Sequence, residues 1–558
     1  MAFVASMNNP QTKMVGIAEP ALTKEGVKGS DVYTEEGVGD PRVVLFTQLV
    51  RGQDKKYIDD CVEKIVQTGS QQMLMDLAVM TFQTRDVRGG KGERDLFYKL
   101  VQSIHKFKPE WTPKMISLIP EYGYWKDLWI LTTLNSELSE MIDRCVHDQF
   151  MIDQESEHPS LLVKWLPREG SKYDSLAKHF ANVLFPLTPK EEGQRMRIYR
   201  KTLSYLNNKV ETAEVKMCAN NWAEINPRHV PGRLMKRNKL AFFNQKKSSR
   251  GAVEDRYPER PDRVECKEHF DIFITDVKMG KVEMKGGTTV MPHEHIREIL
   301  KRHYGLSKEE EEVIELQWDA IRKEVLKSGA LGKVVPMCDF SGSMDGVPKE
   351  VSLALGILIS ESVSSDFKDH ILTFDSEPKW HSFVGKKTLC EKVRSIGSLG
   401  QGLSTDFQKA CDLILKRLIE HKVSPEDAPT DLLVLTDMGF DEASKTQHNS
   451  YFMGSSHRHN NKTESWQTHF EMIRANFEKN GYQAPRIVCW NLRAEYKDFH
   501  AKAHEVGVVQ LSGWSPAVLK SIQAKGIQVQ TPYEGMRVIL DDIRYDKVRE
   551  TMNSIFLV

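Results

Sequence analysis

The sequence predicts an α + α/β protein: an N-terminal α-helical solenoid followed by a doubly wound, mostly parallel α/β domain. Three observations carry that reading. From about residue 45 to Leu326, apolar residues recur at three- and four-residue offsets between Pro and Gly breaks, the period of amphipathic helices. Beyond Lys327, short apolar runs alternate with helical patterns, the signature of βαβ units and a parallel sheet. Two of those runs stop abruptly in an aspartate, Asp339 and Asp437. That is the carboxyl end of a strand, where open α/β sheets place their ligands.

Taken in order, residues 1–44 are rich in Gly, Thr, Glu and Asn without a sustained period. They read as a flexible leader that begins to order near Val43-Val44-Leu45-Phe46. In Lys55 to Val66 the apolar Tyr57, Ile58, Cys61, Val62, Ile65 and Val66 give one buried stripe, and Leu96, Phe97, Leu100, Val101 and Ile104 repeat it. Further helices are predicted near 136–147, 172–184, 190–206, 292–303 and 308–326. No fixed repeat period stands out, so the segment 45–326 reads as an irregular solenoid of antiparallel pairs. In the domain 327–558, the helix Val347 to Ser362 is apolar almost all round and is expected against the sheet. Strands are predicted at 370–374, 431–436, 486–490 and 508–511. Helices are predicted near 406–420, 464–479 and 516–524, with a final one from Asp542 to Ile555.

Composition gives no global pull toward one class of partner. Lys+Arg and Asp+Glu are both 78, so no global field draws the chain to nucleic acid or membrane, and any binding surface must be local. Eight cysteines show no CxxC spacing, and Cys338 and Cys489 lie inside apolar runs. That pattern fits reduced core thiols in a cytoplasmic protein. No run approaches about 18 apolar residues, and the N-terminus lacks a signal-peptide pattern.

The motif with the clearest chemistry is Asp339-Phe340-Ser341-Gly342-Ser343. One carboxylate and two neutral hydroxyls within a single turn suit a hard cation that takes oxygen ligands and keeps some waters. Gly402-Leu403-Ser404-Thr405-Asp406 offers a further hydroxyl before a helical pattern, and Asp431 to Asp437 is a second buried strand ending in aspartate. Together these resemble the von Willebrand factor A domain and its metal-ion-dependent adhesion site. The resemblance implies ligand roles for Asp339, Ser341, Ser343, Thr405 and Asp437 around Mg²⁺ or Mn²⁺, with a position open to an acidic residue of a protein partner.

The segments Arg85 to Arg94, Tyr122-Gly123-Tyr124-Trp125-Lys126-Asp127-Leu128 and Lys164-Trp165-Leu166-Pro167 precede that domain. Their order is similar to a large uncharacterised family of viruses, plants and fungi that is related to the TROVE module of the Ro autoantigen. In Ro a ring of helical hairpins is closed by an A domain and binds small noncoding and misfolded RNAs. The resemblance therefore implies a TROVE-like helical scaffold, RNA partners, and a last helix able to dock back on the helices.

Two basic stretches are the candidates for such contacts. In the first, Arg85, Arg88 and Lys91 (with Arg94) flank glycines; GxxxxGK[ST] is not matched, because Gly92 and Glu93 follow Lys91. An interhelical turn is the plainer reading. In the second, Arg228, Arg233, Lys236, Arg237, Lys239, Lys246, Lys247 and Arg250 occur without an acidic residue. Phe242 and Phe243 lie among them and are candidates for stacking on unpaired bases; a solvated helix with a core Phe pair is the alternative. His293-Glu294-His295 lacks the HExxH spacing of a zinc site, and His457, His459 and His469 have no cysteine partners.

The function implied is RNA binding within a ribonucleoprotein, with a metal site for a protein partner. The alternative is a metal-dependent protein-interaction scaffold that binds no RNA. No Ser/His/Asp or Cys/His set points to an enzyme, and two-metal hydrolysis would want more carboxylates than Asp339 and Asp437.

Overall fold

In the computed structural model the described residues are 22–25, 31–186, 192–248, 251–284, 286–301, 305–327, 329–363, 367–374, 377–396, 407–439, 473–524 and 527–556. The C-terminal half builds a six-stranded sheet from β1 (Val334–Asp339), β2 (His370–Phe374), β3 (Lys379–Ser382), β4 (Asp431–Thr436), β5 (Arg486–Asn491) and β6 (Val508–Ser512). The order is β6-β5-β4-β1-β2-β3, with all neighbours parallel except the edge pair β2 and β3.

The side-chain alternation explains the continuous apolar runs. Val334, Cys338, Leu433, Leu435, Val488 and Trp490 face one way, toward the helix Val347–Ser362 and the helix Lys308–Leu326. Val335, Met337, Leu432, Val434 and Cys489 face the other, toward the helix Phe407–Glu420 and the helix 473–479. Both faces are covered, so every position of β1, β4, β5 and β6 is buried. Gly356 lets its helix lie directly on β1, because a side chain there would overlap the Cys338 sulfur. The edge strand β3 was not foreseen: Lys-Trp-His-Ser is half exposed and has no apolar run to mark it. The helix expected at 516–524 is a 3₁₀ helix, Pro516–Ile522. Of the one expected at 464–479, residues 464–472 lie outside the described residues.

The N-terminal region is helical, as its periodicity predicts. Nine helices of eight or more residues lie between Pro41 and Val210 among the described residues, and they share one core. Helix Gln71–Arg85 escaped the periodicity because Leu74 to Arg85 are all buried. A second core gathers Phe242, Phe270 and Val313 from the helices Gly232–Phe242, Pro261–Lys278 and Lys308–Leu326, with Trp222 and Phe243 from the segments beside them. Order also starts earlier than Val43: the strand Asp31–Tyr33 pairs with Thr23–Glu25, Val32 and Tyr33 are buried, and Tyr33 N donates to Phe499 O at 2.8 Å.

Both ends of the helical region dock on the sheet domain. At one end the helix Pro41–Gln48 meets β6 and the helix Pro532–Leu540, and the last helix, Asp546–Phe556, packs on Gln71–Arg85 and Thr112–Tyr122. Met536, Ile539, Tyr545 and Met552 thereby belong to the helical core. At the other end the helix Pro292–Lys301 packs on Val347–Ser362, with Arg297 Nε 2.6 Å from Glu350. Among the described residues no helix is long and apolar enough to cross a membrane.

A further joint is the loop 86–93. Lys91 N and Glu93 N donate back to Gln83 O and Thr84 O, at 2.9 and 2.7 Å. Asp86 takes both Arg544 (2.9 Å from Nη2) and the Tyr545 hydroxyl. The Lys91 side chain is fully buried and reaches Phe46 O (2.8 Å), Leu49 O (3.0 Å) and Ser512 Oγ (2.7 Å) at the end of β6.

Burial pushes the Lys91 ammonium down from 10.5 to about 7. The unfolded chain therefore binds more protons than the folded one between those values, and this group's stability penalty is relieved as pH rises through them. Relative to Lys91→Met, wild-type stability is expected to rise from pH 7 upward. At pH 7 the substitution, which leaves buried acceptors unpaired, is expected to cost about 1–3 kcal/mol in chemical denaturation. A flat pH difference between the two proteins would contradict this assignment.

Candidate functional site

The strand order reverses between β1 and β4, so their carboxyl ends flank the crevice where such sheets bind ligands. Asp339 ends β1 and Asp437 follows β4, and both are wholly buried. Ser341 N donates to Asp339 Oδ1 at 2.9 Å, a turn that folds the loop back on the strand end. It brings Ser341 Oγ within 3.0 Å of Ser343 Oγ. Thr436 Oγ1 donates to Asp339 Oδ2 at 2.8 Å and so ties the two strand ends together. Ser343 is partly exposed and marks the opening to solvent.

Asp437 Oδ1 accepts from Gly439 N at 3.1 Å, whereas its buried Oδ2 has no partner among the described residues. Burial, and then the charge of Asp437, push the Asp339 carboxyl up to about 6. Two buried carboxylates side by side, one with an orphaned oxygen, form a set that a divalent cation would satisfy. Among the described residues no three His, Cys, Asp or Glu side chains converge on a point. A cation here would therefore rest on two carboxylates and the serine hydroxyls, which suits Mg²⁺ or Mn²⁺ better than zinc. Of the five expected ligands, the structure brings Asp339, Ser341, Ser343 and Asp437 to this end of the sheet. Thr405 lies outside the described residues.

Sequence reasoning missed the loop after β5. Arg493 donates to Ser343 O and holds Glu495 at 2.8 Å, and Tyr496 lies close enough to Asp437 for its hydroxyl to be pushed up, by burial first and then by that charge. His500 Nε2 stands 2.8 Å from Met438 O, and burial pushes its pKa down to about 4, so the ring is neutral. Nothing local marks these residues, because β5 comes next to β4 only in the folded sheet.

The basic stretches require correction. Phe242 and Phe243 are core residues, 0% and 1% exposed, and Phe242 stacks on Phe270 with centroids 4.5 Å apart. Neither is available to a base. The acids missing locally come from other helices. Lys236 meets Glu298 at 2.7 Å, buried Lys239 meets the same carboxylate, and Arg233 meets Glu294 at 3.2 Å. Lys247 pairs with Glu310, and Lys246 stands 3.4 Å from Glu254. Arg228 and Arg237 are exposed without an ion pair among the described residues, and Arg250 lies outside them. In the first stretch, Arg85 is buried against Asp127 (2.8 Å) and Lys91 is the clasp described above, which removes both as RNA contacts. Arg88 alone of the three is exposed. His293 and His295 are buried on the helix Pro292–Lys301, and His457, His459 and His469 lie outside the described residues.

Phe242→Ala is accordingly expected to lower stability by about 3–5 kcal/mol. Arg237→Ala, on the exposed side of the same helix, should change it by less than about 0.5 kcal/mol. Equal effects of the two in urea denaturation would place Phe242 at the surface.

Comparison with known proteins adds two matches. A family model described as Domain of unknown function (DUF7788) matches residues 333–555, from the start of the sheet to the last helix. The chain is also 28% identical over 467 residues to Uncharacterized protein L728 of Acanthamoeba polyphaga mimivirus, a match covering 79% of this chain and 75% of that protein.

Proposed function

We propose that the C-terminal unit is a von Willebrand factor A-like domain whose crevice between β1 and β4 holds Mg²⁺ or Mn²⁺ and captures an acidic side chain of a protein partner. The helical region then serves as the scaffold that presents it, a solenoid of the TROVE-like kind. The observation that carries this reading is the pair Asp339 and Asp437, buried at adjacent strand ends, with the Asp437 Oδ2 unpartnered. Asp339 and Asp437 would balance a divalent cation, and the neutral serine hydroxyls add no further negative charge, so a coordination position is left that a partner's Asp or Glu could fill. The protein's own residues do the positioning: Thr436 orients Asp339, the Asp339–Ser341 turn sets the two hydroxyls, and Arg493 holds the Ser343 carbonyl.

RNA binding is a second reading, favoured by a different surface from the one expected. Tyr124 packs on Trp165 with centroids 5.6 Å apart, and Lys126 and Lys172 stand 5.2 and 5.6 Å from the Tyr173 ring. All three aromatic rings are partly exposed, and neither lysine has an acidic partner among the described residues. Half-exposed rings beside unpaired cations suit single-stranded nucleic acid.

Calorimetry with Mn²⁺ or Mg²⁺ tests the first reading. Wild type should bind one ion, Asp339→Asn and Asp437→Asn should bind none, and Thr436→Val should bind about 10–100-fold more weakly through lost support of a ligand. Circular dichroism checks that each variant is folded. Unchanged binding in Asp339→Asn would remove the assignment. For the second reading, Lys126→Ala with Lys172→Ala should flatten the log–log salt slope of single-strand affinity by about 1.4, at roughly 0.7 per phosphate contact. No affinity for single-stranded RNA at low salt would leave the scaffold reading alone.

A further inference from the structure

A cavity of about 140 Å³ lies where the helical region meets the sheet domain. Four segments line it: the loop around Arg88, the turn with Thr288 and Met291, the helix Lys308–Leu326 with Leu331 beyond it, and the turn Ser515–Lys520 after β6. Its walls are mainly aliphatic, from Met291, Ile321, Val325, Leu331 and Leu519. Clefts of this make-up at the junction of two units are where small ligands bind. The volume is close to that of a benzene-sized cavity of about 150 Å³.

The charges at the rim do not cancel. Lys520 is paired with Asp542 at 2.6 Å, and Glu324 with Lys327 at 2.7 Å. Asp86 below the loop is taken up by Arg544 and Tyr545. Arg88 lines the cavity and is exposed, and its guanidinium has no partner among the described residues. A compact aliphatic chamber with one surplus guanidinium fits an apolar body carrying a single negative charge, because Arg binds carboxylate through two parallel N–H donors. We infer that this cavity is a binding site for a small aromatic or aliphatic monocarboxylate, held by Arg88 at the rim. This site is separate from the β1–β4 crevice and stands whether or not that crevice binds a cation.

Benzoate is the probe, with benzyl alcohol as its uncharged and benzylamine as its cationic counterpart, titrated into the full chain by calorimetry in EDTA. Benzoate should bind at one site and raise the melting temperature with concentration, as a ligand of the folded state does. Arg88→Gln should weaken it at least about tenfold, since a charged hydrogen-bonding partner is lost. Ala517→Leu, which fills the chamber without touching Arg88, should also abolish binding. Benzyl alcohol should bind at least tenfold more weakly than benzoate, and benzylamine not at all. Absence of benzoate binding, binding equal to that of benzyl alcohol, or full affinity in either variant would overturn the assignment.

Discussion

The buried amino group of Lys91 is the constraint on which the closure of the chain depends. It satisfies the carbonyls of Phe46 and Leu49 at the end of one helix and the Ser512 hydroxyl at the end of β6. The same loop delivers Asp86 to Arg544 and, through Glu93, holds Arg51 at 2.9 Å, whose guanidinium lies 3.9 Å from the Trp514 ring. A fully buried cation is costly unless its donors are used, and here they are used by chain segments more than 400 residues apart. The glycines serve that geometry: a side chain on Gly90 would overlap the Gln83 carbonyl. The Arg85 to Arg94 segment, whose plainer sequence reading is an interhelical turn, is an internal clasp.

That closure determines what remains open on the sheet. The helix Pro41–Gln48 and its clasp cover the carboxyl ends of β5 and β6, where Asn491 Nδ2 also reaches Thr47 O at 3.5 Å. The ends of β1 and β4 carry the two buried aspartates beside a partly exposed serine. The helical region therefore does more than precede the sheet domain in sequence. It covers the carboxyl ends of β5 and β6, and among the described residues it does not cover those of β1 and β4, where the strand order reverses.

Much of this was legible where one physical pattern dominated. The apolar runs of β1, β4, β5 and β6 announced strands buried on both faces, and the aspartates that end two of them marked the crevice. Helix Gln71–Arg85 and strand β3 were not legible, for opposite reasons: the first is buried all round and lacks a polar face, the second is an edge with no apolar run. The basic stretch misled because charge balance was judged within a window, while Glu294, Glu298 and Glu310 arrive from other helices. Phe242 and Phe243 followed the same error, since aromatic residues among lysines read alike whether they face solvent or Phe270. Arg493 and Tyr496 gave no signal at all, because their proximity to the site is a product of strand order.

The central claim is that the two buried aspartates are held for a divalent cation. The most direct measurement is an anomalous difference map from crystals of the full chain grown with Mn²⁺. The account predicts one strong peak in contact with Asp339 and Asp437, beside the hydroxyls of Ser341 and Ser343. A map with no peak between those two carboxylates, in crystals that show Mn²⁺ bound elsewhere, would contradict it.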